Sequence, residues 1–254
     1  MMRGAILHLD VAQIVLYAFF IFFACLVWYL RQEDRREGYP LESEADGGVR
    51  SPGFLFIPAP KAFRLADGTI LKAPTLQADT RALNAAKVEP WPGAPLEPTG
   101  DPLLAGVGPG SYAIRPEVPA KTHEGHDLIA PLRIATNFTV APEAGNPLGF
   151  TVIAADRRAA GTISDLWVDR SESLLRYYEV ALESSRSVLV PVHFADVNYR
   201  TRTVKITALK ASQFQQVPSL ATPDSVTMQE EDKISGFYGA GALYATPARA
   251  EPLL

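Results

Sequence analysis

The stretch VAQIVLYAFFIFFACLVWYL fills residues 11–30, and Gln13 is its only strongly polar residue. Its phenylalanines fall on all sides of a helix instead of on one face, as expected where lipid is the solvent. The hydrocarbon core of a bilayer is about 30 Å thick, a distance that a helix of roughly 20 apolar residues crosses. Trp28 and Tyr29 end the stretch, where an interfacial aromatic belt belongs. We therefore expect a single transmembrane helix over residues 11–30.

A signal peptide, a lipid-attachment site and a buried soluble helix all fit this stretch less well. A secretory signal has a shorter apolar core and a small-residue cleavage site, whereas this stretch runs directly into RQEDRRE. Lipid attachment at Cys25 is disfavoured because two phenylalanines precede it and five more apolar residues follow it. A buried helix of a soluble domain would have a polar face, and the stretch has none.

The basic residues around the stretch predict its orientation. Arg3 alone precedes the stretch, whereas Arg31, Arg35 and Arg36 follow it closely. Cytoplasmic flanks of membrane spans carry the excess of lysine and arginine. We therefore expect residues 1–10 to be periplasmic and the rest of the chain after the helix to be cytoplasmic, which in a bacterium means the inner membrane.

The composition limits the function classes. The chain has 254 residues, a net charge of −4 and no basic tract suited to nucleic acid. Its one cysteine lies inside the apolar stretch, which excludes a disulfide framework and a cysteine-based metal site. The chain has four histidines, which are few for a histidine-rich metal centre. Because phosphate-binding loops and the motifs of serine hydrolases and zinc peptidases are absent, we expect no enzyme.

The part after the helix changes character at about residue 145. Proline and glycine interrupt residues 31–145 so often that few regular elements are expected there. An Asp67-Gly68 pair between two short apolar runs predicts one hairpin. A long proline-rich segment that keeps large aromatic side chains is typical of a segment ordered by a partner. We therefore expect residues 31–145 to lie extended on the surface of partner subunits.

Residues 146–254 contain short apolar runs at even spacing. They predict β-strands separated by polar turns, at residues 148–155, 162–168, 175–182, 187–194 and 203–209. Such strands, without room for crossover helices, predict a small antiparallel sheet or barrel. Thr227 and Glu230 have the spacing of a capping box and predict a helix that runs to about Tyr238 and ends at Gly239 and Gly241. The expected fold class is a single transmembrane α-helix plus a mainly-β domain with a C-terminal helix.

Two groups of titratable residues are candidates for chemistry. His123, Glu124 and His126 share a proline-flanked loop, and such a group can bind a metal ion or relay protons. The alternative is a solvated polar loop.

The second group surrounds a predicted turn between strands and consists of Asp169, Glu172 and Arg176. A pair of acids beside a cation is one way in which a protein tunes a carboxyl pKa. The alternative is a turn that connects two strands and carries exposed charges. The residues alone leave both alternatives open.

Seven blocks of the sequence, in order, resemble the H subunit (H chain) of the purple-bacterial photosynthetic reaction centre, which carries a PRC-barrel domain. They are the apolar stretch with RQEDRREGYPL (31–41), APLEPTGDPL (94–103), GPGSYA (108–113), PLRIATNF (131–138), AGTISDLWVDRSE (160–172), RYYEV (176–180) and EEDKISGFYGAGALYATPARAEPLL (230–254). The blocks run over nearly the whole chain. The resemblance implies a small antiparallel PRC-type β-barrel in the C-terminal half.

The resemblance also implies a function, that of an accessory subunit without pigment. Such a subunit caps the cytoplasmic face of the L and M subunits, stabilises the complex and its secondary quinone site, and supports proton delivery to that quinone during light-driven electron transfer. The chain would bind no cofactor itself, whereas the complex would contain bacteriochlorophyll, bacteriopheophytin, quinones and non-haem iron. Membrane lipids are implied partners too. The resemblance leaves open whether a cytochrome subunit and a light-harvesting antenna are further partners. The implied location is the intracytoplasmic photosynthetic membrane.

The resemblance assigns roles to the second titratable group. Glu172 matches the interior carboxylate near the secondary quinone, and Asp169 and Arg176 match its electrostatic neighbours. Burial by L and M is expected to raise a carboxyl pKa, and a nearby cation opposes that rise. A carboxyl held near neutral pH in this way both accepts and releases protons.

The first group matches the entrance for protons. His126 matches a surface histidine there, with His123 and Glu124 beside it. Some family members have a second histidine where this chain has Glu124, so a tight two-histidine metal site is not expected. The competing hypothesis is a single-span, membrane-anchored PRC-barrel adaptor without a proton-transfer role. A membrane-anchored hydrolase is disfavoured because the sequence lacks a pattern of nucleophile and base.

Overall fold

The structure is a computed structural model, and it describes residues 10–36, 38–41, 43, 45–46, 48, 50, 53–54, 56–65, 68–73 and 79–249. The chain divides into two units by its internal contacts. The first unit is Met1–Arg81 with Trp91–Gly93, and the second is Ala82–Pro90 with Ala94–Leu254.

The first unit contains the predicted apolar helix, α1, which spans Val11–Glu33. Asp10 caps its start, because the Asp10 Oδ1 accepts a hydrogen bond from the Ala12 N–H at 3.3 Å. None of the described side chains of α1 is buried. A 3₁₀ turn, Asp34–Arg36, follows, and the two together give 26 residues that are long and apolar enough to cross a membrane. The expected helix is confirmed and continues past Leu30.

A hairpin completes the regular structure of the described part of this unit. Its strands are β1, Lys61–Arg64, and β2, Ile70–Ala73, and they pair antiparallel with Phe63 opposite Leu71. The predicted hairpin is therefore confirmed. Asp67 of the predicted turn lies outside the described residues, while Gly68 has a φ of 85°, a backbone conformation that suits glycine.

The second unit begins with a short hairpin that the sequence patterns did not predict. Its strands are β3, Ala85–Lys87, and β4, Leu96–Pro98. A seven-stranded sheet follows in the order β10-β11-β6-β7-β8-β9, and β5 pairs with β7. Its strands are β5 (Ile129–Pro131), β6 (Thr151–Ile153), β7 (Ala159–Asp169), β8 (Leu174–Leu182), β9 (Ser187–Pro191), β10 (Ala195–Asn198) and β11 (Thr203–Ile206).

Each predicted strand of this domain has a counterpart in the sheet, and the mainly-β fold class is confirmed. Two details differ. The pairing of β11 with β6 is parallel, whereas the remaining pairs are antiparallel. The predicted strand 187–194 ends at Pro191, and β10 occupies residues that were predicted as a polar turn. The polar β10 residues Asp196 and Asn198 are exposed, while Ala195 and Val197 are half-buried, which is the alternation of an outer strand.

The C-terminal helix, α2, spans Met228–Tyr244. Its capping box is present, because Thr227 Oγ1 accepts from the Glu230 N–H at 3.1 Å and Glu230 Oε2 accepts from the Thr227 N–H at 2.8 Å. The predicted end at Gly239 and Gly241 is wrong, since both residues lie inside the helix. A Cβ at Gly239 would overlap the carbonyl oxygen of Pro109, and one at Gly241 would overlap that of Ala208. These glycines admit neighbouring backbone instead of ending the helix.

The core of the second unit lies between the sheet and α2. Its largest fully buried side chains include Trp167, Phe214 and Tyr238. Leu103 and Ile129 are buried in the same cluster, although both precede the predicted boundary at residues 145/146. That boundary therefore falls inside this unit, because segments on either side of it share one core.

Candidate functional site

The loop with the first titratable group is a tight turn between Lys121 and Asp127, which form an isolated β-bridge. Within it, the Thr122 N–H donates to the His126 carbonyl at 2.8 Å, and the Gly125 N–H donates to the Thr122 carbonyl at 3.0 Å. Gly125 has a φ of 87°, a value that favours glycine in such a turn. The turn leaves the candidate side chains exposed to solvent, namely those of His123, Glu124 and His126.

Two carboxylates hold negative charge in this loop. The pKa of Glu124 is lowered, first by the backbone N–H of Glu124 itself and in smaller part by His123 and His126. Partial burial raises the pKa of Asp127, but the hydrogen bond from Lys121 helps to outweigh it, so that this pKa is lowered too. Ionised carboxylates therefore lie beside the two histidines.

The second titratable group lies at the turn from β7 to β8. Asp169 is buried and is the last residue of β7. Its Oδ1 accepts from the Ser171 N–H at 2.9 Å and from the Glu172 N–H at 3.1 Å. The Asp169 carboxylate thus holds the turn, while the Glu172 side chain is exposed at its surface.

Strand pairing brings the loop and the turn to one open cleft of about 850 Å³. Ile129 of β5 pairs with Asp169 of β7, and the Arg170 N–H donates to the Leu128 carbonyl at 2.9 Å. The side chain of Arg170 also reaches back to the carbonyl of Asp127 at 3.3 Å. The residues that line the cleft are Thr122, His123, Glu124, His126, Ile134, Asn137, Phe138, Arg170 and Ser171.

Arg176 lies elsewhere, on the exposed surface of β8. Among the described residues, no hydrogen bond or ion pair joins it to Asp169 or Glu172. Its charge acts instead on Tyr177 and on Glu231 of α2, where burial raises both pKa values and the charge of Arg176 partly opposes the rise. The three residues of the second group are therefore not assembled as an acid pair balanced by a cation within this chain.

Glu231 is a titratable residue that the sequence patterns did not single out. Burial raises its pKa, although a hydrogen bond from Tyr177 and the positive charges of Arg176 and Arg115 oppose the rise. The Tyr177 hydroxyl donates to Glu231 Oε2 at 3.2 Å. Burial first, and then the charge of Glu231, raise the pKa of Tyr177. The place of Glu231 in the first turn of a predicted helix gave no sign of this burial.

A network around Arg133 was also missed. The Arg133 Nη1 donates to Asp165 Oδ2 at 2.8 Å and to Glu179 Oε2 at 2.6 Å, and the Nε donates to Asp224 Oδ1 at 2.9 Å. The Trp167 Nε1 donates to the same Glu179 oxygen at 2.9 Å. Burial lowers the pKa of Arg133, but the three carboxylates outweigh it and raise the pKa overall. Arg133 belongs to a segment that lines the cleft. Its bonds thus connect this segment with β7, with β8 and with the loop before α2.

The cleft does not have the composition of a metal centre. Within the described part of the chain, no group of three or more His, Cys, Asp or Glu side chains could hold a metal ion. The cleft instead combines imidazole, carboxylate and guanidinium groups with open access to water. The imidazole and carboxylate groups can accept protons from water and exchange them with one another, while the guanidinium supplies a fixed positive charge.

Two family models match the chain. The model of the photosynthetic reaction centre H-chain N-terminal region matches residues 4–134. That is 131 of the 254 residues, just over half of the chain. The model of the PRC-barrel domain matches residues 143–213, which include the strands from β6 to β11. The chain therefore belongs to the H-chain family of the photosynthetic reaction centre, and is a membrane-anchored, single-pass accessory subunit with a PRC-barrel domain that associates with other reaction-centre subunits.

Proposed function

We propose that this chain caps the cytoplasmic face of the L and M subunits, stabilises the secondary quinone site and delivers protons to that quinone. The observation that carries the proposal is the shared cleft, in which the histidine loop and the Asp169 turn meet. The pigments, quinones and non-haem iron belong to the partner subunits in this proposal. The chain itself contributes side chains that collect and pass protons.

Protons enter at the histidine loop in this proposal. His123 and His126 are exposed, and imidazole is the side chain that ordinarily exchanges protons near neutral pH. The lowered pKa of Glu124 keeps a negative charge beside them, which attracts protons and stabilises an imidazolium. The open cleft gives these groups direct contact with bulk water.

Glu172 passes the protons onward. Its backbone is fixed by the buried carboxylate of Asp169, and the neighbouring residues Arg170 and Ser171 line the same cleft. Its side chain is exposed in this chain, so the L and M subunits supply its burial in this proposal. Arg176 contributes positive charge from the neighbouring strand.

The topology follows from the charges beside the anchor. Arg31, Arg35 and Arg36 mark the cytoplasmic end of the helix, so the N-terminus is periplasmic and both the hairpin and the PRC-barrel domain are cytoplasmic. This orientation puts the cleft on the side of the membrane from which the quinone receives its protons. The host membrane is the bacterial inner membrane.

The test is the substitution Glu172→Gln in the purified complex, followed by flash-induced electron transfer. We expect the second electron transfer to the quinone to slow by at least about tenfold, since positioned proton donors contribute about 10²-fold or more, while primary charge separation stays unchanged. Glu183→Gln, at another exposed turn, is the matched control and should leave both steps unaltered.

Equal rates in the Glu172→Gln complex and the unaltered complex would remove this residue from the mechanism. The second candidate function would then apply, a membrane-anchored PRC-barrel adaptor that conducts no protons. The exposure of Glu172 and the distant partners of Arg176 favour that candidate as far as this chain alone is concerned.

A further inference from the structure

The hairpin of β1 and β2 has an apolar face that the first unit leaves uncovered. Phe63 and Leu71 are cross-strand partners on this face, and their exposed fractions are 44% and 52%. Because side chains alternate along a strand, Lys61 shares this face, whereas Arg64, Lys72 and Ile70 lie on the opposite face. An isolated two-stranded hairpin is marginally stable in water, so its apolar face needs a covering surface.

The last residue of α1 and the 3₁₀ turn after it hold this hairpin at one end, where β1 starts and β2 finishes. The Lys61 Nζ donates to Glu33 Oε2 at 2.8 Å, and Glu33 also accepts from Arg36 Nε at 2.7 Å. The Arg36 Nη1 donates to the carbonyls of Ala59 at 2.9 Å and of Ala73 at 3.0 Å. Since Ala59 precedes β1 and Ala73 ends β2, the hairpin cannot move away from the end of the anchor without breaking these bonds.

Aromatic contacts fix the level of the hairpin relative to the membrane. Trp28 and Tyr29 lie at the end of the apolar stretch and are each about half exposed. The Phe56 ring meets the Trp28 ring edge-on at 6.4 Å, and Lys61 Nζ lies 5.2 Å from the centre of the Tyr29 ring. The chain segment that leads into β1 therefore starts at the interfacial belt of the anchor.

The distance from that belt to the apolar face is short. Phe63 follows Lys61 by two residues, about 7 Å along a strand. Each headgroup layer of a bilayer is about 5–8 Å thick. Phe63 is thus near enough to the belt for its face to reach the headgroup layer.

We propose that the face formed by Phe63 and Leu71 rests on lipid at the cytoplasmic surface of the membrane. The hairpin then forms an interfacial platform continuous with the transmembrane anchor. Lipid fits this face because Phe63 and Leu71 are apolar and the Lys61 ammonium is paired with Glu33, while the cations Arg64 and Lys72 stay in water on the other face.

Spin labels test the proposal in the complete complex in lipid nanodiscs. In a Cys25→Ala background, labels are placed by Phe63→Cys and Leu71→Cys on one face, and by Arg64→Cys and Lys72→Cys on the other. The same complex without an introduced cysteine supplies the background signal. Oxygen concentrates in lipid and a charged-metal chelate stays in water, so we expect several-fold more collisions with oxygen than with a nickel chelate at positions 63 and 71, and the reverse at positions 64 and 72.

Two outcomes would overturn the proposal. Equal access of the nickel chelate to both faces would mean that the hairpin lies in water. Immobile labels at positions 63 and 71 that neither reagent reaches would mean that a protein covers them. A second measurement needs no substitution: photoreactive lipids in the unaltered complex should modify Phe63 and Leu71, and adducts confined to the α1 helix would also reject lipid contact. Neither readout depends on electron transfer or on Glu172.

Discussion

Single residues in the second unit connect segments that are far apart in the chain. Arg133 is the clearest case, because its guanidinium binds carboxylates 32, 46 and 91 positions away. Its charge is shared among Asp165, Glu179 and Asp224, and its Cζ atom lies 5.8 Å from the centre of the Trp167 ring. Loss of this one side chain would leave the half-buried Glu179 and the buried Asp165 without their cation.

Arg133→Ala should destabilise the chain by about 2 kcal/mol, a value reduced for the partial exposure of the side chain to solvent. The reason is that charged hydrogen bonds are lost and two carboxylates keep their desolvation cost. Denaturant unfolding followed by tryptophan fluorescence measures the effect, since Trp167 adjoins the network. Arg200→Ala, at an exposed position, is the control, and equal stability of the two variants would contradict the prediction.

Glu231 gives a prediction for the pH dependence of stability. Its folded pKa is raised above the ordinary 4.5 by burial, so the folded state binds the proton more tightly than the unfolded state does. The contribution of Glu231 to stability is therefore fully present below pH 4.5 and is lost as pH rises through the folded pKa. The Glu231→Gln variant should not lose this stability as pH rises. The free energy of unfolding of the variant, relative to that of the unaltered chain, should therefore increase with pH.

Unfolding free energies at pH 4 and pH 7 measure this difference. The exposed Glu143→Gln is the control and should shift stability equally at both pH values. A Glu231→Gln variant whose relative stability does not change with pH would show that burial of this carboxyl has no effect on its proton affinity.

At the scale of elements, local sequence patterns predicted the helices and strands whose formation depends on neighbouring residues. The apolar run predicted α1, the alternating runs predicted the main strands, and Thr227 with Glu230 predicted the start of α2. Those patterns did not predict the contacts between segments that are distant in the chain. The parallel pairing of β11 with β6 and the network of Arg133 join residues that no local period relates. The same holds for the cleft, whose two halves were each predicted as candidates but whose meeting depends on the pairing of β5 with β7.

The end of α2 shows how a local rule fails for a tertiary reason. Glycine commonly ends helices, yet Gly239 sits inside α2 because the backbone of Pro109 packs against it. Gly239→Ala should therefore destabilise the chain by about 1–3 kcal/mol through overpacking, although alanine favours helix by about 1 kcal/mol.

The control lies in the same helix. Ala242 is exposed, so Ala242→Gly should cost only the propensity difference of about 1 kcal/mol. Denaturant midpoints of the two variants give the comparison. A Gly239→Ala variant that is more stable than the unaltered chain would mean that Pro109 moves away without cost.

At the scale of the whole molecule, the chain combines a helix that is long and apolar enough to cross a membrane with a β-domain, and the groups proposed for proton transfer belong to the latter. Asp169 is buried by this chain alone, whereas Glu172 and Arg176 are exposed. The effect expected for Glu172→Gln therefore depends on assembly: the substitution should change quinone kinetics in the complex but should barely alter the stability of the isolated chain.

The apolar surface of α1 is uniform around its circumference, so lipid gives no preference for any rotation of the helix about its own axis. The bonds from Glu33 and Arg36 to the hairpin fix the rotation of the helix relative to the hairpin. Any surface that binds the hairpin therefore also orients the helix. The side of the anchor that faces such a surface is set outside the hydrocarbon, by a few polar bonds at the end of the helix.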